Sequence, residues 1–268
     1  MKLIKQLEIS NSQQIWRLLI DENDFLLIET RDVKNKEVFF SSLDIFSGSY
    51  LLKDFQFEEK FWLGIEAFQK GIIYFHSFPK PDMPNHKEII AFDIKSKNIL
   101  WHNQELAFLF SFEDIVYGYK QGFEGRYYYS VDIQTGEIIK QLNENEFDVI
   151  HNNYRKSETE IFSNYLFPED LKNLVDDKDS IINDENIIGQ IEAVRQNGFL
   201  FVSFNKELIP NKYSNIFKVI SLDDSKELFQ KVLDADIDKL ALDTFFIYKE
   251  YLFLIVEKNN LEIYKIEK

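Results

Sequence analysis

Residues 90–101 read Ile90-Ala91-Phe92-Asp93-Ile94-Lys95-Ser96-Lys97-Asn98-Ile99-Leu100-Trp101: an apolar strand, an aspartate, a polar turn and a second apolar strand. The aspartate can accept hydrogen bonds from backbone N–H groups two or three residues further on, and a Lys or Gly after it can adopt a positive φ. The stretch therefore predicts a β-hairpin whose turn is held by Asp93.

The same pattern occurs three more times along the chain. Its aspartates are Asp44, Asp132 and Asp223. The first three aspartates of the series are 49 and 39 residues apart, and Asp223 follows after 91 residues, which is room for two units. A period near 40–45 residues is typical of the four-stranded blades of β-propellers.

Two further repeats extend this pattern. Residues 65–73, IEAFQKGII, recur in altered form as residues 191–199, IEAVRQNGF, and Ile4-Lys5-Gln6-Leu7 recurs as Ile139-Lys140-Gln141-Leu142. The last unit has only three apolar strands, near 245–248, 251–256 and 261–266. We expect the N-terminal strand to supply the fourth, because such closure leaves no long open sheet edge.

The sequence thus predicts an all-β fold: a single domain, 1–268, forming a five-bladed β-propeller of four-stranded antiparallel blades. The blades are expected at about 12–56, 60–103, 105–143, 188–233, and 238–268 together with 1–9. Segment 144–187 is polar and lacks the alternation, so we interpret it as a mostly non-β insertion with a short helix after Pro168. The alternative is six blades, with this segment as a degenerate sixth.

The aspartate hairpins resemble the quinoprotein-type (PQQ-like, WD40-like) propeller repeat, Ala-x-Asp-x-x-Thr-Gly-x-x-x-Trp. Residues 91–101 follow it with Lys97 in place of Gly, and Val131–Gly136 follow it without the Trp. The resemblance implies the fold but not the quinone cofactor, since quinone-dependent enzymes are larger and carry a disulfide at the site. Taken whole, the chain resembles an uncharacterised bacterial propeller family of unknown function, which implies no activity. No cofactor is expected.

Composition narrows the possible partners. Lys and Arg number 31 and Asp and Glu 46, a net charge of -15 that would repel nucleic-acid phosphates. No run of 18 apolar residues and no secretion signal is present, so we expect a cytoplasmic protein, without membrane contact and monomeric. The absence of cysteine excludes disulfides, thiolate catalysis and cysteine-ligated zinc. Richness in Ile, Lys, Asn, Phe and Tyr fits an AT-rich bacterial genome.

No motif predicts catalysis, so we expect a non-catalytic propeller that binds a protein or a small polar ligand on its loop-rich face. Long loops are predicted there at 31–37, 77–88, 120–126 and 206–215. The candidate ligand-binding residues are Arg31, Glu66, Arg126, His151, Tyr154, Arg155 and Glu192. Arginine binds carboxylate or phosphate with two hydrogen bonds. The structural alternative is that the arginines only pair with nearby acids such as Glu29, Asp32, Glu124 and Glu158.

A second hypothesis is a glycoside hydrolase-like enzyme that uses two channel carboxylates, with Glu66 and Glu192 as candidates. Such chemistry requires two acids roughly 5–10 Å apart. The four histidines, His76, His86, His102 and His151, do not show the spacing of metal ligands on one element, so no metal site is predicted.

Overall fold

The computed structural model describes residues 1–78, 86–175, 182 and 185–267. These residues are mostly β-strand and form five antiparallel sheets. The chain divides into two compact units, one of Met1–Ser12 with Phe162–Lys268 and the other of Gln13–Ile161. The N-terminal strand β1 (Lys2–Ser10) belongs to the first of these.

The unit Gln13–Ile161 contains three four-stranded sheets, each with its strands in chain order, as the repeat predicts. Their strands are β2 (Gln14–Ile20), β3 (Phe25–Asp32), β4 (Glu37–Asp44) and β5 (Tyr50–Phe55); β6 (Leu63–Gln69), β7 (Ile72–Ser77), β8 (Lys87–Asp93) and β9 (Asn98–Asn103); and β10 (Ala107–Phe112), β11 (Ile115–Gln121), β12 (Arg126–Asp132) and β13 (Ile138–Leu142).

The other unit contains two sheets of five strands, each made of four long strands and one strand of two residues. One sheet has the order β15 (Glu169–Asp170), β16 (Ile187–Gln196), β17 (Phe199–Ile209), β18 (Lys212–Ser221), β19 (Glu227–Ile237). The other has the order β1, β22 (Asn260–Glu267), β21 (Tyr251–Val256), β20 (Phe245–Tyr248), β14 (Tyr165–Leu166).

The predicted pairing of the N-terminal strand with the last strand is present. β1 runs antiparallel to β22, with partners from Lys2 opposite Glu267 to Ser10 opposite Asn260 and a bulge between Lys5 and Leu7. β1 therefore completes the sheet of β20–β22.

The aspartate turns are built as the sequence predicts. Asp93 accepts the backbone N–H groups of Lys95 and Ser96 at 3.2 and 2.9 Å, and Lys97 has a φ of 58°. Asp132 likewise accepts from Gln134 and Thr135 at 2.9 and 2.8 Å. The assignment of the fourth aspartate is wrong, because Ser221 ends β18 where Asp132 ends β12, and its N–H donates to the carbonyl of Lys226 as that of Asp132 donates to the carbonyl of Glu137. Asp223 therefore lies two residues past the turn position, and Asp224 accepts the N–H of Lys226 within this turn.

Trp101 joins two neighbouring sheets of the unit Gln13–Ile161. Its side chain is buried, and its indole N–H donates to the carbonyl of Ile133 at 2.8 Å. It packs in one apolar cluster with Tyr74 of β7 and Val131 of β12. The tryptophan of the repeat pattern is thus a core residue here.

Four sequence predictions about connections are wrong. The long loops expected at 31–37 and 120–126 are short hairpin connections of four residues, 33–36 and 122–125. The helix expected after Pro168 is only the strand β15 and one 3₁₀ turn, Leu171–Asn173. Asp170 caps this turn by accepting the N–H of Lys172, and the N–H of Leu174 donates to the carbonyl of Leu171 at its end. The long loop expected at 206–215 is a hairpin, in which β17 and β18 continue to a two-residue turn with Asn211 at a φ of 64°.

The one long helix in the described residues, α1 (Glu144–Phe162), lies at the start of the segment interpreted as an insertion. The N–H of Glu146 donates to Asn143 Oδ1 at 3.0 Å, and the N–H of Asn143 donates to the Glu146 carboxylate at 3.1 Å, which is a capping box. The described part of 144–187 forms no sheet of its own. Among the described residues, no helix combines the length and the apolar character needed to cross a membrane.

Candidate functional site

The candidate site begins with a buried histidine on the sheet β6–β9. His76 is the penultimate residue of β7 and lies opposite Gly64 on β6. The residue is 3% exposed. A Cβ atom at position 64 would lie 2.5 Å from His76 Cε1, so the imidazole occupies the space that a larger residue at 64 would fill.

Two further side chains meet this histidine. Glu66 Oε1 lies 3.0 Å from Nδ1 of His76 and 2.6 Å from Nδ1 of His86. The two imidazole rings stack, with centroids 3.6 Å apart and planes at 7°. We call Glu66, His76 and His86 the His–Glu cluster.

The electrostatics of the His–Glu cluster favour an ionised Glu66. Burial alone would raise the pKa of this carboxyl, but the two imidazoles beside it outweigh burial and hold the pKa below its usual value. The hydrogen-bonding groups of His76 are less well satisfied than those of Glu66. Its contact with Glu66 lacks hydrogen-bond geometry, and within the described chain neither of its ring nitrogens has a hydrogen-bond partner.

A second polar chain lies on the same sheet. Ser77 donates to one oxygen of Glu88, and the other oxygen lies 2.6 Å from His102 Nε2. Burial would raise the pKa of Glu88, but the bonds from Ser77 and His102 lower it below its usual value. The order is Ser–Glu–His, whereas a nucleophilic triad needs the histidine next to the serine. The group therefore cannot activate Ser77 as a nucleophile in this arrangement.

A cleft of about 480 Å³ opens between the sheet β6–β9 and the sheet β10–β13. We call it the Arg126 cleft. His86 and Glu88 line one side, and Tyr119, Lys120 and Arg126 line the other. His86 therefore belongs both to the His–Glu cluster and to the wall of the cleft, which brings the predicted site residues Glu66 and Arg126 into one region of the unit.

Arg126 is exposed, and its guanidinium lies 4.3 Å from the ring centroid of Tyr119. Across the described ranges no carboxylate pairs with it, so the expected pairing with Glu124 is not formed. Lys120, in contrast, is paired with Glu105. Arg126 thus lies over an aromatic ring, with its N–H donors available to a ligand.

Arg31 is placed elsewhere in the same unit. Its guanidinium donates to Glu29 Oε1 at 2.6 Å and to the carbonyl of Leu63 at 3.0 Å, and lies over the rings of Trp16 and Phe61. These contacts tie β3 to β6, as the structural alternative for this arginine expects.

Two of the three predicted residues of α1 face the sheet β10–β13. Tyr154 stacks on Phe110 at 4.4 Å, and His151 stacks on the same ring at 5.4 Å. Burial raises the pKa of Tyr154, and so does the 2.8 Å hydrogen bond that its hydroxyl donates to Glu158. Tyr154 also lines a smaller cavity of about 210 Å³. Arg155 lies on the exposed side of the helix.

Glu192 belongs to the other compact unit. It is buried, and both carboxylate oxygens accept the backbone N–H of Asp243 at 3.0 Å. Burial raises its pKa, and the backbone hydrogen bond only partly offsets this. Each of the two acids suggested for a hydrolase is therefore engaged by its own local partners.

Comparison with known proteins adds a partial match. Residues 20–101 match the sequence model of a domain of unknown function, DUF4905. None of the curated proteins matches. The matched segment includes all three residues of the His–Glu cluster.

Two solved structures are similar to this chain at low scores. An uncharacterised protein of Listeria monocytogenes EGD-e has 11% identity and a TM-score of 0.34, with 94% of this chain and 82% of that chain covered. KlAtg21, solved in complex with the coiled coil of AgAtg16, has 10% identity and a TM-score of 0.30, with 91% and 67% covered. At these TM-scores neither likeness bears on the fold or the function of this chain.

Sequence reasoning missed His76 and His86 as members of a site. They are ten residues apart and lie on either side of the connection from β7 to β8, of which residues 79–85 lie outside the described part. Much of the predicted loop 77–88 falls there too. Only the folded hairpin brings the two rings together, although one signal was available: His76 directly precedes the predicted loop 77–88, and His86 lies near its end.

Proposed function

We propose that this protein is a non-catalytic five-bladed β-propeller that binds a small anionic ligand in the Arg126 cleft. Five antiparallel sheets of four long strands, and a first strand that completes the last sheet, support the propeller. Propellers commonly use their connecting loops to bind ligands on a rigid scaffold.

The class of ligand is inferred from the surroundings of the Arg126 side chain. Its guanidinium lies over the ring of Tyr119, is exposed in a cleft, and has no carboxylate partner among the described residues. A planar guanidinium held in this way can give two parallel hydrogen bonds to a carboxylate or a phosphate. Lys87 also lines the cleft, from the side opposite Arg126. Lys120 is paired with Glu105, and Glu88 belongs to the lining as well, so the anion preference rests on Arg126 with Lys87.

The chemistry around the cleft supports binding rather than catalysis. Ser77, Glu88 and His102 are in the wrong order for nucleophilic attack, and Glu66 is engaged by two imidazoles. A general acid or base must be free to reach a substrate.

The test is a thermal-shift and calorimetric titration with three anions: inorganic phosphate, citrate and the sugar acid glucuronate. At least one should raise the melting temperature of the wild-type protein, because a ligand that binds only the folded state stabilises it. Arg126→Ala should abolish that shift. The matched control is Arg195→Ala, which removes an exposed arginine of the other unit.

The proposal fails if no anion of the three binds, or if Arg126→Ala binds as tightly as Arg195→Ala. A response to phosphate alone would assign a phosphorylated ligand, and a response to citrate or glucuronate alone would assign a carboxylate.

A further inference from the structure

We infer that Glu66, His76 and His86 form a binding site for a divalent transition-metal ion, with zinc the best match, at the edge of the Arg126 cleft. Two imidazoles and one carboxylate are the protein ligands of many open zinc sites, in which water or substrate takes the fourth position. This inference is independent of the anion-binding proposal.

The donor atoms are close enough to surround one ion. One ligand atom from each residue lies within 4.8 Å of the other two. Glu66 Oε1 is 3.0 Å from Nδ1 of His76 and 2.6 Å from Nδ1 of His86. Bonds of about 2.0–2.1 Å in a tetrahedral site place ligand atoms about 3.3 Å apart. Small side-chain movements therefore suffice.

The side chain that must move for metal binding is that of His86, the exposed member of the cluster. Stacked rings hold their nitrogen lone pairs parallel, whereas metal ligation needs them to converge on one point. The His86 side chain is 42% exposed and lies at the cleft, so it can tilt without disturbing the core.

The burial of His76 points to a ligand. The residue is 3% exposed, yet neither ring nitrogen has a hydrogen-bond partner among the described residues. A buried polar group without a partner is destabilising, and such groups in native proteins usually have a missing water or ion as their explanation. A metal bound at Nδ1 would supply the missing interaction.

The His76 ring fits only because the residue opposite it is glycine. Gly64 lies directly opposite His76, and any side chain there would overlap Cε1 and Nε2 of the imidazole. The absence of a side chain at Gly64 thus creates the space for the His76 ring in the β6–β7 pair. In this position the Nδ1 atom of His76 lies toward Glu66 rather than toward solvent.

The site is open on the side of the cleft. His86 lines the cleft while Glu66 and His76 are largely covered, with side-chain exposures of 14% and 4%. Three protein ligands leave one position of a tetrahedral ion free, and we infer that it faces the cleft, where water or an anion can reach it.

The experiment uses the untagged full chain, stripped with EDTA and titrated with Zn²⁺ by calorimetry and with Co²⁺ by visible absorption, without any organic anion. We expect one ion per chain and the intense d–d bands of four-coordinate Co²⁺. His86→Ala and Glu66→Gln should each weaken binding by at least about tenfold. His102→Ala, which removes a carboxylate-bound histidine of the same sheet, should bind as the wild type does.

The outcomes separate the two proposals. Arg126→Ala should keep full metal affinity, so its loss of anion binding would leave the metal site standing. No saturable Zn²⁺ binding by the wild type would overturn the inference. Unchanged affinity in both His86→Ala and Glu66→Gln would also overturn it, as would a loss of affinity in His102→Ala equal to theirs. A Co²⁺ spectrum with the weak bands of six-coordinate Co²⁺ would do the same.

Discussion

Glu262 shows how single buried charges hold the paired termini of the chain. It is 4% exposed on β22, and its carboxylate accepts from Lys5 of β1 at 2.7 Å, from Lys231 of β19 at 3.0 Å and from the Tyr264 hydroxyl at 2.7 Å. Burial would raise its pKa, but these three donors outweigh burial and lower it. The first strand is thereby tied to two strands of its unit by one carboxylate.

Glu262→Gln should therefore destabilise the protein at neutral pH, by about 1–2 kcal/mol because both lysines are partly exposed and screened. A carboxyl whose pKa is lowered on folding stabilises the fold above its unfolded pKa, and this contribution disappears as the pH falls through the folded value. The difference between wild type and variant in urea unfolding should thus shrink on acidification.

The matched control for Glu262→Gln is Glu8→Gln, which removes the exposed partner of the same lysine. It should change the unfolding free energy little. An equal effect of the two substitutions, or a difference that grows at low pH, would contradict the role given to Glu262.

Gly64 is the second residue whose identity follows from a neighbour. Gly64→Ala places a Cβ 2.5 Å from His76 Cε1 and should cost about 1–3 kcal/mol, as overpacking in a core does. In the double variant Gly64→Ala/His76→Ala the overlap is gone, so the two effects should be strongly non-additive in thermal unfolding. Simple additivity would show that the imidazole does not occupy this space.

At the scale of elements, the helix α1 depends on its cap and its aromatic face. Asn143 and Glu146 exchange two hydrogen bonds at its start. Phe147 stacks on Tyr128 at 3.8 Å, and Tyr154 stacks on Phe110, so that one side of the helix covers the sheet β10–β13. No helix residue is fully buried, which makes the cap a large part of its stability.

Asn143→Ala should destabilise this helix by about 0.5–2 kcal/mol, the usual cost of losing an N-cap side chain. Hydrogen exchange measured by mass spectrometry should show faster exchange in 144–162, with the sheet β2–β5 unaffected. Asn152→Ala, an exposed mid-helix change, should slow exchange or leave it unaltered. Equal exchange in wild type and Asn143→Ala would exclude the capping role.

Elements held by interactions between residues close in sequence could be predicted from the sequence. Elements that depend on contacts between distant parts of the chain could not. The aspartate turns are local, because Asp93 bonds to residues two and three positions on. Helix α1 was missed although Phe147, His151 and Tyr154 have helical spacing, because few apolar residues support it. The His–Glu cluster depends on an irregular register of β7 on β8 between Phe75 and Ser77, which no spacing rule supplies.

At the scale of the whole molecule, the account depends on the join between the first and last strands. The likeness of Ile4–Leu7 to residues 139–142 predicted it, because both segments lie in an edge strand: β1 at the edge of its five-stranded sheet and β13 at the edge of its four-stranded sheet. The first strand can then be assigned by its likeness to another outer strand, without any knowledge of the contacts.

The most direct test of this join is a disulfide between β1 and β22, in a chain that has no cysteine of its own. Leu3 and Ile266 are direct partners, and paired residues lie about 4.5–5.5 Å apart between Cα atoms, within disulfide range. Ile4→Cys/Ile266→Cys is the control, because a slip of one residue turns the side chain to the opposite face. After oxidation at low concentration, mass spectrometry of the unreduced digest should find an intrachain link between positions 3 and 266 and none in the control. Free thiols, or links only between chains, in Leu3→Cys/Ile266→Cys would contradict the join and with it the proposal of a propeller.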